Sequence, residues 1–464
     1  MKKTLALTVA VCLLVINLSC SHYRVPTYPV NTNTPVLTVK SATATLVGTV
    51  ANTYTRTMTE TIYTATITPT FSATNTANNT FIATATATAT YSIVITGTAL
   101  ATNTATCTIT STITITAPIP FQAMKIAAGQ HQSLALKSDG TLWTTGYNAN
   151  GELGTGDNNP RNKFVQVMSG VSEIDAGADH SLAIKSDGTL WVTGDNSHGE
   201  LGLGDYSSRN SFTQVAGMTG VSKIATGSSL FSLALKSDGT LWAAGYNNEG
   251  ELGTGDTNTA NTFVQVLTGV TAITRGGGHS IALKNDGTIW ATGRNNEGQL
   301  GMGNTFNCYV FTQVFGISNV AAISAGGYLS MAIKNDGTLW VAGDNLYGEL
   351  GLGDNIVRKS FTQVTAIPIV STISGGWLFS FSMDATGTLW GTGDNTQGEL
   401  GKGNNSMTNI YLQTLTGVSV MSAGTNHGLA IKTNGTLWAT GYNYDGELGT
   451  GDNNGRNIWT QIYN

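Results

Sequence analysis

Charge is scarce in this 464-residue chain, since Asp, Glu, Lys and Arg together supply only 11% of it. Glycine is almost missing from the first 120 positions, where only Gly48 and Gly97 occur out of 57 in the whole chain. The molecule is therefore two different polymers joined near Phe121. Cysteine is rare as well: Cys12, Cys20, Cys107 and Cys308 show no framework spacing, which supports neither a disulfide scaffold nor a zinc site. Sustained apolar runs are absent apart from Thr4 to Ile16, too short for a comfortable bilayer span. No stretch keeps a helical apolar period over ten residues, and no phosphate loop or dinucleotide fingerprint follows a strand. From residue 121 onward 17 Lys and Arg stand against 26 Asp and Glu, a net of −9. An acidic surface repels phosphate backbones, so a nucleic-acid partner is not expected.

What is present at the amino terminus reads as a targeting signal. Lys2 and Lys3 precede the apolar segment Thr4 to Ile16, and Asn17-Leu18-Ser19-Cys20 is similar to a lipoprotein processing box, although Asn17 stands where Leu is usual. Residues 1–20 are thus expected to be a signal peptide of an exported bacterial protein. Two fates are open: acylation of Cys20, or ordinary cleavage and full secretion. Ser21 after the Cys is the choice of outer-membrane lipoproteins, so the expected location is the cell envelope or outer membrane, with the extracellular medium as the alternative. Residues 31–117 then carry 32 Thr among 87 positions, alternating with Ala, Ile, Val or Tyr. Period two means extended chain, and residues 21–120 read as a Thr-rich stalk, either a glycosylated spacer or a disordered one.

Repeats decide the remainder. The Trp of Gly-Thr-Leu-Trp recurs at Trp143, Trp191, Trp242, Trp290, Trp340, Trp390 and Trp438, a period of about 49 residues. Each copy places a short apolar run before Asp-Gly (Thr386-Gly387 in copy six, Asn434-Gly435 in copy seven) and another after it. That pattern predicts a β-hairpin with a type I′ turn. Two further apolar segments per copy make four short strands. Four strands and seven copies predict an all-β, seven-bladed β-propeller over residues 121–464, with the repeated Trp buried.

The signature Asn-x-x-Gly-Glu-Leu-Gly-x-Gly-Asp, preceded by Ala-Gly-x-x-His-Ser-Leu-Ala-Leu and Asp-Gly-Thr-Leu-Trp, resembles the regulator of chromosome condensation repeat family, in its bacterial, alpha-tubulin-suppressor-like branch. The resemblance spans about 340 residues and implies a closed propeller ring. Family members include nuclear guanine-nucleotide exchange factors, secreted inhibitors of β-lactamases and a plant ultraviolet sensor. The Gly-Trp-Arg-His-Thr repeats of the light sensor are absent here. Where the common pattern has Gln before Leu-Gly, this chain has Glu152, Glu200, Glu251, Gln299, Glu349, Glu399 and Glu447.

Those acids, with Asp157, Asp205, Asp256, Asp354 and Asp452 five places on, raise the question of calcium. They offer only fragments of a calcium loop, and turn capping is the expected role. His131, His180, His279 and His427 fall in or beside the Ala-Gly-x-x-His-Ser loop, and Ser181 and Ser280 follow two of them. Adjacent Ser and His are not a catalytic dyad, which needs a separated base, an orienting carboxylate and an oxyanion hole. No catalytic residue, metal site or cofactor is therefore expected. The binding surface is sought where copies depart from the repeat. Copies three, five and six carry Leu230-Phe231, Tyr328-Leu329 and Trp377-Leu378-Phe379 where others have polar residues or Gly. These residues are expected at one end of the axis, either as an exposed patch for a protein partner or as an inward plug. The function expected is an exported, surface-anchored, monomeric protein-binding module without catalysis. Exchange-factor activity and enzyme inhibition, as in the two family branches, are the alternatives.

Overall fold

The computed structural model describes residues 121–227 and 230–463, together with strands at 46–49, 56–63, 70–74, 80–83, 92–99 and 106–116. The chain divides into two units, Met1–Ile119 and Pro120–Asn464. In the first, strand 46–49 pairs with 80–83, and the other four strands form an antiparallel sheet in the order 56–63, 92–99, 106–116, 70–74. The leader, Cys20 and the segments of the Thr-rich stretch between these strands lie outside the described residues.

The second unit is seven four-stranded antiparallel sheets, each one repeat. Blade 2 is typical, with strands Val171–Ala176, His180–Lys185, Leu190–Gly194 and Arg209–Gln214 side by side in chain order. The blades span 125–168, 171–214, 221–267, 270–313, 320–363, 370–415 and 418–461. No helix occurs among the described residues. The Asp-Gly hairpin forms in each copy, but as a three-residue loop. Lys185 N–H bonds to Thr189 C=O and Gly188 N–H to Lys185 C=O, with positive φ at Gly188 alone. The type I′ expectation is thus corrected to a type I turn closed by a left-handed Gly, because Asp187 spends its carboxylate on the Thr189 N–H and hydroxyl and keeps an ordinary φ.

Packing lies between blades. Seven apolar clusters fill the seven interfaces, each drawing on two neighbouring sheets. The Gly-Glu-Leu-Gly loop is the clasp: Leu201 of blade 2 is fully buried with Ala234, Ala244 and Phe263 of blade 3. Gly202 sits there at φ +65°, and a Cβ on it would stand 2.4 Å from the Phe263 ring. Ser232 of blade 3 donates to the Glu200 carbonyl at 2.7 Å, and Gly204 N–H bonds to the Asn261 carbonyl at 2.8 Å. The ring closes where Phe121 bonds to blade 7, through its N–H to Ile462 C=O and its C=O to Leu437 N–H, both at 3.0 Å.

The repeated Trp departs from expectation. Each is half-buried, not buried. The physical reason is its polar edge. The Trp191 indole N–H donates to Thr189 Oγ1 at 3.0 Å, and the Lys185 ammonium lies 4.0 Å over the ring. The Lys stem and charge cover a face that the blade leaves in water. In blade 6 Asp384 replaces that Lys and accepts from the Trp390 indole instead.

Candidate functional site

Antiparallel order puts the first-to-second and third-to-fourth strand loops of every blade on one face. At the inner circle of that face two residues per blade are tied by a backbone bond. Tyr147 N–H donates to His131 C=O at 2.9 Å, Arg294 to Gly278 at 2.7 Å, Asp344 to Tyr328 at 2.9 Å and Asp394 to Leu378 at 2.8 Å. The face around the axis is therefore set by residue identity at two columns, and in this chain it is aromatic and acidic. Burial, and then Glu152, Asp179 and Asp445, push the Tyr147 hydroxyl upward.

The seven residues singled out from sequence fall into two groups. Phe231, Leu329 and Phe379 are 0%, 0% and 1% exposed. They are not loop tips: each opens the second strand of its blade, paired with Gly245, Gly343 and Gly393, and the alternation of that strand turns it into the blade interface. These three are core and leave the surface assignment. Leu230, Tyr328, Trp377 and Leu378 are half-buried on the face. Tyr328 and Trp377 come together, ring centroids 5.0 Å apart and nearly edge to face. The Trp377 indole leans from blade 6 across Gly327 of blade 5 to Gly277 of blade 4, where a Cβ would stand 2.9 and 2.7 Å from its ring atoms. Arg294 lies 5.0 Å over the Tyr328 ring and is held by Glu297 at 2.9 Å. An aromatic pair thus lies over the mouth of the axis.

His180, His279 and His427 occupy the same column as Phe231 and are fully buried. Their Nε2 atoms meet Ser232, Ser330 and Ser133 of the next blade at 3.0, 2.9 and 2.9 Å. Because Ser232 gives its proton to the Glu200 carbonyl, His180 donates and is neutral; burial holds all three imidazoles down to about 3. They join blades. The repeated Glu residues cap turns: Glu152 Oε2 accepts the Asn150 N–H at 2.9 Å, and the other five Glu repeat the bond. Asp157 serves a different set of partners, Asn148 and Arg161. Burial, first of all, pushes each of these six Glu up to about 7.

His131, Asp445 and Glu447 meet at the junction of blades 7 and 1 with ligand atoms within 4.8 Å of one another. Glu447 Oε1 has no hydrogen-bond partner, yet the same orphan oxygen recurs in Glu152, Glu200 and Glu349, none of which belongs to such a three-residue group among the described residues. The orphan is a property of the repeat and does not single out a metal.

Sequence reasoning missed the axial wall. A cavity of about 390 Å³ runs behind Trp377, lined by the first strands of all seven blades. The column of Asp175 holds Thr274, Ser324, Ser374 and Ser422 in blades 4 to 7, and each hydroxyl oxygen accepts a backbone N–H of the next blade: Ala325, Gly375, Ala423 and Ala128, at 2.9 to 3.1 Å. Asp175 does the same for Thr226 at 2.7 Å. One place on, where other copies have Ala, Thr or Gly, stands Arg275. Asp175 and Arg275 are the only charges in their two columns, a signal visible once the copies are aligned on the first strand.

Fold and face together define a closed seven-bladed propeller of tandem 48–51-residue repeats. The chain belongs to the RCC1-like family: the RCC1-like domain matches residues 229–462, and regulator of chromosome condensation (RCC1) repeats match 171–200 and 139–184. Among solved structures, yeast RCC1 (Prp20) bound to Kap60 is similar at TM-score 0.64 and 19% identity, over 75% of this chain and 85% of that one. Prp20p of Saccharomyces cerevisiae, studied for binding to Gsp1p and histones, gives 0.63 and 20% over 75% and 87%. Human WBSCR16 gives 0.61 and 21% over 69% and 90%. At these identities the likeness is one of fold. A comparison with curated protein sequences finds no match.

Proposed function

We propose that this protein is an exported, envelope-anchored binding module with no catalysis of its own, and that it holds a protein partner on the face around the propeller axis. The observation that carries the reading is the Tyr328–Trp377 pair, two aromatic side chains left half-buried over the axial mouth and outside the seven interface clusters. Large aromatics on a rigid scaffold supply most of the energy of protein interfaces. Around them Asp179, Asp344, Asp394 and Asp445 outweigh Arg294, a field that favours a partner with a cationic segment. The leader and Cys20 support export and lipid anchoring. The test is capture of a partner from the envelope of the source cell by wild type and by Trp377→Ala. Loss of capture with an unchanged melting curve supports the reading, and equal capture removes Trp377 from the interface. An assay of guanine-nucleotide release separates binding from the exchange activity of the alternative reading.

A further inference from the structure

The axial wall is unequal in its hydrogen bonding. Thr274, Ser324, Ser374 and Ser422 use their oxygens as acceptors, and among the described residues none donates its own proton. Their four O–H groups are therefore spare on the side of blades 4 to 7. Arg275 starts from blade 4 and reaches toward blade 3. Its guanidinium lies over Gly227, where a Cβ would overlap it, and it makes no hydrogen bond or ion pair with a described residue. Asp175 answers its charge across the cavity without a shared hydrogen bond, and one Asp175 oxygen is already taken by Thr226 N–H. A guanidinium carries five donors in a planar fork suited to oxyanions, and Arg275, half-buried, keeps them open to a solute entering the cavity. This wall therefore offers spare donors and the one guanidinium; of the other charged lining residues, Glu173 pairs with Lys125 and Lys223 donates to the Thr271 carbonyl. A volume of about 390 Å³ lies at the small end of ligand pockets.

We infer that the axial cavity binds a small oxyanion, a carboxylate or a phosphate, with Arg275 as the charge partner and the hydroxyls of Thr274, Ser324, Ser374 and Ser422 as further donors. Asp175 sets the affinity from the other wall, since its carboxylate opposes the ligand's charge. The ligand lies beneath Trp377, deeper than the protein-binding face, so this site stands or falls apart from that reading.

The experiment titrates the purified full chain by calorimetry with inorganic phosphate and, separately, with succinate, at constant ionic strength. The expected result is saturable one-to-one binding of one of the two, which tells phosphate from carboxylate. Arg275→Gln weakens it at least tenfold, and Asp175→Asn, which keeps the acceptor for Thr226, tightens it several-fold. A gain in affinity cannot come from misfolding, so Asp175→Asn decides the matter if Arg275→Gln fails to fold. Failure of both anions to saturate the wild-type chain overturns the inference. So does an affinity that neither variant changes.

Discussion

Replacing Glu200 by Gln changes one atom of a side chain that is fully buried between blades 2 and 3. Its Oε2 accepts the His198 N–H at 2.8 Å and its Oε1 has no partner. Burial, ahead of every hydrogen bond and neighbouring charge, carries its pKa from 4.5 to about 7. A carboxyl whose folded value is raised stabilises the fold fully below its unfolded value, and that contribution is lost as pH rises through about 7. At about 1.4 kcal/mol per pH unit, the climb from 4.5 to about 7 makes the ionised form cost up to about 3 kcal/mol. Gln cannot ionise. Blade 4 already uses it: Gln299 Oε1 accepts the Glu297 N–H and its Nε2 donates to Glu297 Oε2, both at 3.0 Å. Glu200→Gln should therefore raise unfolding free energy by less than about 1 kcal/mol at pH 5 and by about 2 to 3 kcal/mol at pH 8. Urea unfolding of both proteins at the two pH values measures this. A gain of equal size at both, or a loss at pH 8, would refute the view that these Glu are neutral caps in the stable ring. Six Glu share the environment, so the wild-type propeller should also be measurably less stable at pH 8 than at pH 5.

Three further outcomes follow from the packing and the leader. Phe231→Ala removes a ring with no exposed surface and should cost about 3 to 5 kcal/mol in denaturant unfolding. Ending the chain at residue 455 deletes the outer strand Arg456–Gln461 and the Ile462 bond to Phe121, so ring closure fails and cooperative unfolding should be lost; an unchanged melting curve would contradict closure. Cys20→Ala should shift the protein from the membrane fraction to the soluble fraction, because an acyl chain contributes about 0.8 kcal/mol per buried CH₂. Wild-type protein wholly in the medium would count against anchoring.

The ring was legible because its signals are local and sevenfold. Asp-Gly between apolar runs gives the hairpin, and the Trp spacing gives the blade count. What stayed hidden depended on where a strand begins. Phe231 and Leu230 are neighbours in sequence, but the second strand opens at Phe231, which sends one inward and leaves the other on the face. Trp191 read as core because Trp usually is. Its Thr189 acceptor and Lys185 cover become apparent only when the hairpin register is known. The turn-capping role of Glu200, by contrast, matches the reading of the repeated acids as caps, whereas His180 is a strand residue that joins its blade to the next. Arg275 escaped notice because a single Arg in a Gly-rich stretch carries no motif. Only the ring brings it across from Asp175.

The central claim, that the face over the axis is the partner surface, is tested most directly by photo-crosslinking from that face in the native envelope. A crosslinking residue at position 328 should yield one discrete adduct, which Trp377→Ala abolishes. The same residue at position 309, 45% exposed on the outer strand of blade 4, should yield none. A matching adduct from position 309, or none from position 328, would contradict the claim.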